Sequence, residues 1–162
     1  MIQALILDMD GVLFDTERLA LKLQPQAAAA YGFSLPRELL FSTLGRTMAA
    51  GKVILTEALG PDFPHDQVMA HWKQLMFADM EENGIPLKPG AKELLKALAF
   101  RGIPAALATS NNEGIVAHYL ALAGLEAAFA QVVCGDQVPR GKPAPDIYLA
   151  AARALGVPPG AC

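Results

Sequence analysis

The stretch Gln3-Ala4-Leu5-Ile6-Leu7-Asp8-Met9-Asp10-Gly11 decides the fold. Its apolar run is short and nearly unbroken, the pattern of a strand buried on both faces, as in a parallel sheet. Acid and glycine end it. Asp8 and Asp10, two positions apart just past the strand, point to one side. In open α/β sheets that carboxyl end of a strand is where ligands bind. Gly11 lets the chain turn tightly beside whatever is bound. Such a pair suits a divalent cation with oxygen ligands, and nucleophilic and acid–base work. Taken alone, the two acids also fit a simple turn cap.

Beyond this stretch the pattern changes twice. From Asp15 to about Asn83 it is helical, with helices predicted over Leu19–Ala30, Arg37–Leu44, Met48–Leu59 and His65–Glu82, punctuated by Gly32, Gly60-Pro61 and Asn83-Gly84. After Gly84 strands and helices alternate. We read a helix over Ala91–Phe100, a strand over Ile103–Ala108 and a helix over Asn112–Ala123. A strand over Gln131–Cys134, a loop over Gly135–Ala144 and a helix over Pro145–Leu155 follow. Alternation of this kind implies a parallel sheet flanked by helices. The expected organisation is therefore an α/β core of residues 1–14 and 85–162, with a helical cap of residues 15–84 inserted after the first strand.

Two further segments carry candidate chemistry. Thr109-Ser110-Asn111-Asn112 ends the second strand and opens a helix, where hydroxyl and backbone N–H groups form a ready anion site. A plain N-cap is the structural alternative. Gly141-Lys142-Pro143-Ala144-Pro145-Asp146-Ile147-Tyr148 sets Lys142 in a proline-framed loop before a helix. A cation fixed there would let an anionic carboxylate approach an anionic phosphate; a solvated lysine is the ordinary reading. Gly135 to Lys142 is not a nucleotide-binding loop. Its glycine spacing is one residue too long, and Pro143 replaces the Ser or Thr that would hold magnesium.

Composition narrows the rest. Apolar residues make up 53% and charged residues 18% of 162, enough for a real core. A net charge of -3 argues against nucleic acid or an anionic membrane as partner. No apolar run reaches membrane-spanning length, the N-terminus lacks a basic leader, and Cys134 and Cys162 form no paired motif. The cytoplasm is the expected compartment. His65, His71 and His118 show no ligand spacing, and no serine-hydrolase elbow occurs.

Together DMDGVLFDTE, ALATSN and GKPAPDIY resemble, in order and spacing, the haloacid dehalogenase-like phosphohydrolases, in the branch with a helical cap after the first motif. The resemblance spans essentially the whole chain. It implies a Rossmann-like fold, a magnesium ion, and a small phosphorylated metabolite as partner. It implies that Asp8 is the nucleophile and Asp10 the acid and base. Thr109 and Ser110 would bind phosphoryl oxygens and Lys142 would neutralise charge. Magnesium would be held by the Asp8 carboxylate and the Asp10 carbonyl. Glu17 and Arg46 are candidate substrate contacts. The acid at position 10 favours phosphate chemistry over dehalogenation, and Leu19-Ala20-Leu21 stands where sugar phosphomutases often carry a histidine.

The family's fourth motif, an apolar strand ending in acids that complete the magnesium shell, would begin where Gly156–Cys162 ends. Two expectations follow: a truncated chain, or a complete one whose sheet edge is repaired by dimerisation or strand exchange and which binds metal weakly. In either case weak or absent turnover is expected of these 162 residues. Phosphatase is the leading reading. A phosphomutase of the same fold and a fragment that binds phosphate or a partner without turnover are the alternatives.

Overall fold

The computed structural model describes residues 1–43 and 48–162, with the Met48 side chain left aside. The chain divides into two compact units, residues 1–16 with 84–162, and residues 17–83.

The first unit holds three parallel strands in the order β1 (Leu5–Leu7), β2 (Ala105–Ala108), β3 (Gln131–Val133). Leu5, Ile6 and Leu7 pair with Ala105, Ala106 and Leu107. Ala106, Leu107 and Ala108 pair in turn with Gln131, Val132 and Val133. Parallel neighbours need long crossovers. Helix α5 (Ala91–Phe100) precedes β2, α6 (Glu113–Ala123) joins β2 to β3, and α7 (Asp146–Leu155) follows β3. This is the α/β parallel sheet with an inserted helical segment read from the alternation, and the Rossmann-like fold that the family resemblance implied.

The expected burial of the first strand on both faces is corrected. All four residues of β2 are buried, whereas those of β1 are half-buried. The sheet order explains the difference, because β2 lies between two strands and β1 lies at the margin. Near that margin the Gln3 N–H donates to the Ala161 carbonyl at 2.8 Å, so a short 3-10 turn over Pro159–Ala161 lies beside the entry to β1. The small side chains of β2 let α7 approach closely. Ala106, Ala108, Val133, Ile147 and Ala151 form one buried cluster, with Ile6 and Leu155 at its edge.

The second unit comprises most of α1 (Thr16–Ala29), α2 (Arg37–Thr43), α3 (Met48–Leu59) and α4 (His65–Asn83). Its core contains Ala27, Ala28, Leu35, Leu40, Leu55, Phe63, Val68 and Met69. Phe33 meets Phe63 edge-on at 5.2 Å, an arrangement that aligns ring edges with ring faces. His65 is buried, 7% exposed, and its Nδ1 lies 2.9 Å from Asp66. Helix α1 starts at Thr16, three residues before the expected Leu19, and Pro25 lies within it. The early start matters, because Thr16 belongs to the first unit and donates its hydroxyl to Asp10.

Candidate active site

The turn after β1 is built by backbone bonds. Leu13 and Phe14 N–H donate to the Met9 carbonyl at 2.9 and 3.0 Å, and Gly11 N–H donates to the Phe14 carbonyl at 2.9 Å. Gly11 takes φ 72°, a region open to glycine at little cost. Met9, Leu13 and Phe14 are buried and anchor the turn from below. Phe14 meets Tyr119 of α6 edge-on at 6.0 Å. Asp10 is left exposed and Asp8 half-exposed above this apolar floor.

Each acid is gripped. The Lys142 ammonium lies 2.6 Å from Asp8 Oδ1, which also accepts from its neighbour Met9 N–H at 2.7 Å. Lys142 donates to the Ala108 carbonyl at 3.1 Å and stands 5.0 Å over the Tyr148 ring. Cation–π attraction there adds to the ion pair in holding the ammonium group. Asp10 Oδ1 accepts from the Thr16 hydroxyl at 2.7 Å, and its Oδ2 accepts from Asn111 Nδ2 at 2.6 Å. Thr109, 1% exposed, accepts at Oγ1 from the Asn111 backbone and side-chain N–H groups at 3.2 and 3.3 Å. Burial first, and the Asp10 charge second, push the Tyr119 phenol up to about 12. That phenol therefore stays neutral beside the acids.

The capping alternative for the second segment resolves onto one residue. Asn112 is the N-cap of α6, its Oδ1 accepting from Ile115 N–H at 3.0 Å. Thr109, Ser110 and Asn111 precede the cap. Their turn packs so tightly that a Cβ at Gly135 would overlap the Ser110 carbonyl. Asp146 forms a two-pronged ion pair with Arg140, at 3.0 and 2.8 Å, across the base of the Lys142 loop. The Arg140 guanidinium holds the Asp146 carboxyl below its usual range. Within the expected loop Gly135–Ala144, residues Gly135–Gln137 form a 3-10 turn, closed by Gln137 Oε1 accepting from Cys134 N–H at 3.0 Å.

Asp8, Asp10, Thr109 and Lys142 thus share one site, with Ser110 exposed beside Thr109. Glu17 is exposed in the second unit, and Arg46 lies outside the described residues. Thr16 and Asn111 were quoted in the sequence motifs without a role. Their hydrogen bonds depend on the turn at Gly11 and on the β1–β2 register, which motif spacing does not reveal.

Oxygen donors decide the fit to magnesium. Asp8 Oδ2 makes no hydrogen bond among the described residues, and the Asp10 carbonyl accepts none from their backbone. Two free oxygens at one strand end suit a hard cation that keeps several waters and shares the substrate phosphate. No group of three or more His, Cys, Asp or Glu side chains among the described residues could hold a metal. The residues fit the ion in kind, as a two-oxygen seat.

Comparison with known proteins identifies the family. The family model for haloacid dehalogenase-like hydrolases matches residues 2–162. The phosphorylated carbohydrates phosphatase of Thermotoga maritima is 35% identical, over 97% of this chain and 72% of its own length. The crystal structure of CbbY from Rhodobacter sphaeroides in complex with xylulose-(1,5)bisphosphate aligns with TM-score 0.73 and 28% identity, over 99% of this chain and 75% of that one. A hydrolase of the same family from Deinococcus radiodurans R1, with bound phosphate and sodium, aligns with TM-score 0.76 and 28% identity, over 96% of this chain and 68% of that one. The chain belongs to the haloacid dehalogenase-like hydrolases.

Proposed function

We propose that this chain hydrolyses monoesters of small phosphorylated sugars or nucleosides through an aspartyl-phosphate at Asp8. One observation carries the reading: Lys142 pairs with Asp8 in the same cluster where Asn111 bridges Asp10 and Thr109. The similarity to a carbohydrate phosphatase, and to a structure holding a sugar bisphosphate, supports the substrate class.

Lys142 pairs with the Asp8 carboxylate and fixes it in place for attack on phosphorus. The new O–P bond forms as the bond to the leaving oxygen breaks, and Asp10 gives its proton to that oxygen. In the second half Asp10 takes a proton from water, whose oxygen attacks the phosphoryl group and releases Asp8. Thr109 and Ser110 orient the phosphoryl oxygens, and the Lys142 ammonium offsets repulsion between carboxylate and phosphate. Magnesium, held by the Asp8 carboxylate and the Asp10 carbonyl, would supply further charge stabilisation at the phosphoryl oxygens. The helical unit of residues 17–83 acts as the cap that selects the leaving group.

The test is phosphate release from an aryl phosphate and a panel of sugar and nucleoside phosphates, with and without magnesium. Asp8→Asn should abolish release. Release that survives Asp8→Asn would remove the proposed nucleophile. Strong dependence on an added sugar bisphosphate, with little hydrolysis, would favour a mutase instead.

A further inference from the structure

Asn111 takes no part in the steps above, yet its amide lies at the centre of the site. Asn112, not Asn111, caps α6. The Asn111 side-chain nitrogen lies 2.6 Å from Asp10 Oδ2 and 3.3 Å from Thr109 Oγ1. A carboxylate oxygen only accepts, so the amide must turn its NH2 end, not its carbonyl, toward Asp10. Its backbone is fixed on both sides. The Asn111 carbonyl accepts from Gly135 N–H at 2.9 Å, and its own N–H donates to Thr109 Oγ1 at 3.2 Å. Position 135 has no space for a side chain against the Ser110 carbonyl, so the turn presenting the amide has little room to shift.

The other oxygen of Asp10 accepts from Thr16, on a different element. Two donors on opposite oxygens clamp the plane of an exposed carboxylate whose terminal torsion is otherwise broad. An acid–base group loses rate quickly when its orientation spreads, because proton transfer needs close, directed approach.

We propose that Asn111 is a positioning residue for Asp10, its amide fixing the acid–base carboxylate in register with the phosphate anchor Thr109. The inference rests on the phosphatase reading and deepens it. Asn111 acts through Asp10 and not on the reacting atoms.

The experiment compares the wild-type chain with Asn111→Ala and Asn111→Asp on two esters. 4-Nitrophenyl phosphate has a leaving group that departs with little help from a proton; glycerol 2-phosphate has one that needs it. The value of kcat/KM reports the steps through loss of the leaving group. For Asn111→Ala it should fall roughly 10-fold or more with the glycerol ester and no more than about 3-fold with the nitrophenyl ester. Asn111→Asp, equal in shape but without the donor, should do no better. Equal loss with both esters, or a rise in KM alone, would overturn the proposal in favour of a structural or phosphate-gripping role.

A second measurement is independent of turnover. In 15N-labelled chain the Asn111 side-chain NH2 pair, identified by its absence in Asn111→Ala, should show widely split proton shifts. Asp10→Ala should collapse the splitting and Asp8→Asn should keep it. A wild-type pair resembling a free amide overturns the proposal whatever the rates. A wild-type chain inactive on both esters would sink the phosphatase reading and this inference together, an outcome recognisable because the parent, not only the variant, fails.

Discussion

Thr16 Oγ1 donates to Asp10 Oδ1 across 2.7 Å, joining the first residue of α1 to the second acid of the opening motif. Six positions separate the two, and the Gly11 turn brings them together. The residue that begins the inserted helical segment therefore also steers an acid of the core.

Thr16→Val should test that coupling. Valine keeps the side-chain outline and removes the donor. Asp10 is exposed, so water replaces the lost bond and the stability cost should stay within about 1 kcal/mol. Turnover should fall roughly 10-fold through loss of acid alignment. Unchanged rates with an unchanged melting temperature would show that Thr16 does not guide Asp10.

Lys142 is held at 2.6 Å from Asp8, 3.1 Å from the Ala108 carbonyl and 5.0 Å over Tyr148. Lys142→Met should cost about 100-fold or more in turnover, as expected for removing a preorganised charge. Lys142→Arg should fail to rescue it, since a planar fork cannot replace a compact ammonium group between those partners. Wild-type rates in the arginine variant would contradict this account of the site.

Magnesium affinity provides a third check. With two protein oxygens and no cluster of three acidic or imidazole ligands among the described residues, binding should be weak. A Kd on the order of millimolar is expected for a magnesium seat that draws its remaining ligands from water and substrate. Calorimetry with the 162-residue chain should show Asp8→Asn weakening binding further, and turnover should be correspondingly slow. Micromolar affinity indifferent to Asp8 would place the ion elsewhere.

Tyr119 gives the alkaline behaviour a sign. Its phenol is raised from 10.0 to about 12 by burial first and by Asp10 second. The folded value exceeds the unfolded one, so this contribution to stability is fully present below pH 10 and is lost as pH rises toward 12. Melting curves across that window should steepen their decline in wild type and flatten in Tyr119→Phe. Identical profiles would remove Tyr119 as the cause.

Much of the core was readable in the chain because it rests on local rules. The apolar run ending in acid and glycine, the alternation after Gly84, and glycine at the helix ends of α6 and α7 each have a near-neighbour cause. The gathering of Asp8, Asp10, Thr109 and Lys142 followed from the family resemblance and is matched by their contacts. What motif spacing could not supply depends on register across the sheet. Asn111 reaches Asp10 only because β2 lies beside β1 in one alignment. The half-burial of β1 depends on strand order, and a strand's own sequence does not state its place in a sheet.

One more contact concerns how such a molecule can diversify. The two crossings of the main chain lie side by side: Phe14 bridges Leu87, Asp15 N–H donates to the Pro86 carbonyl at 2.8 Å, and Lys88 N–H donates to the Leu13 carbonyl at 3.0 Å. The Lys88 ammonium closes on Asp15 at 2.7 Å. The segment between them thus departs and returns through a single doorway. Beyond Thr16, residues 17–83 can therefore change in length and content without redrawing the three-stranded platform or the pairing at the doorway.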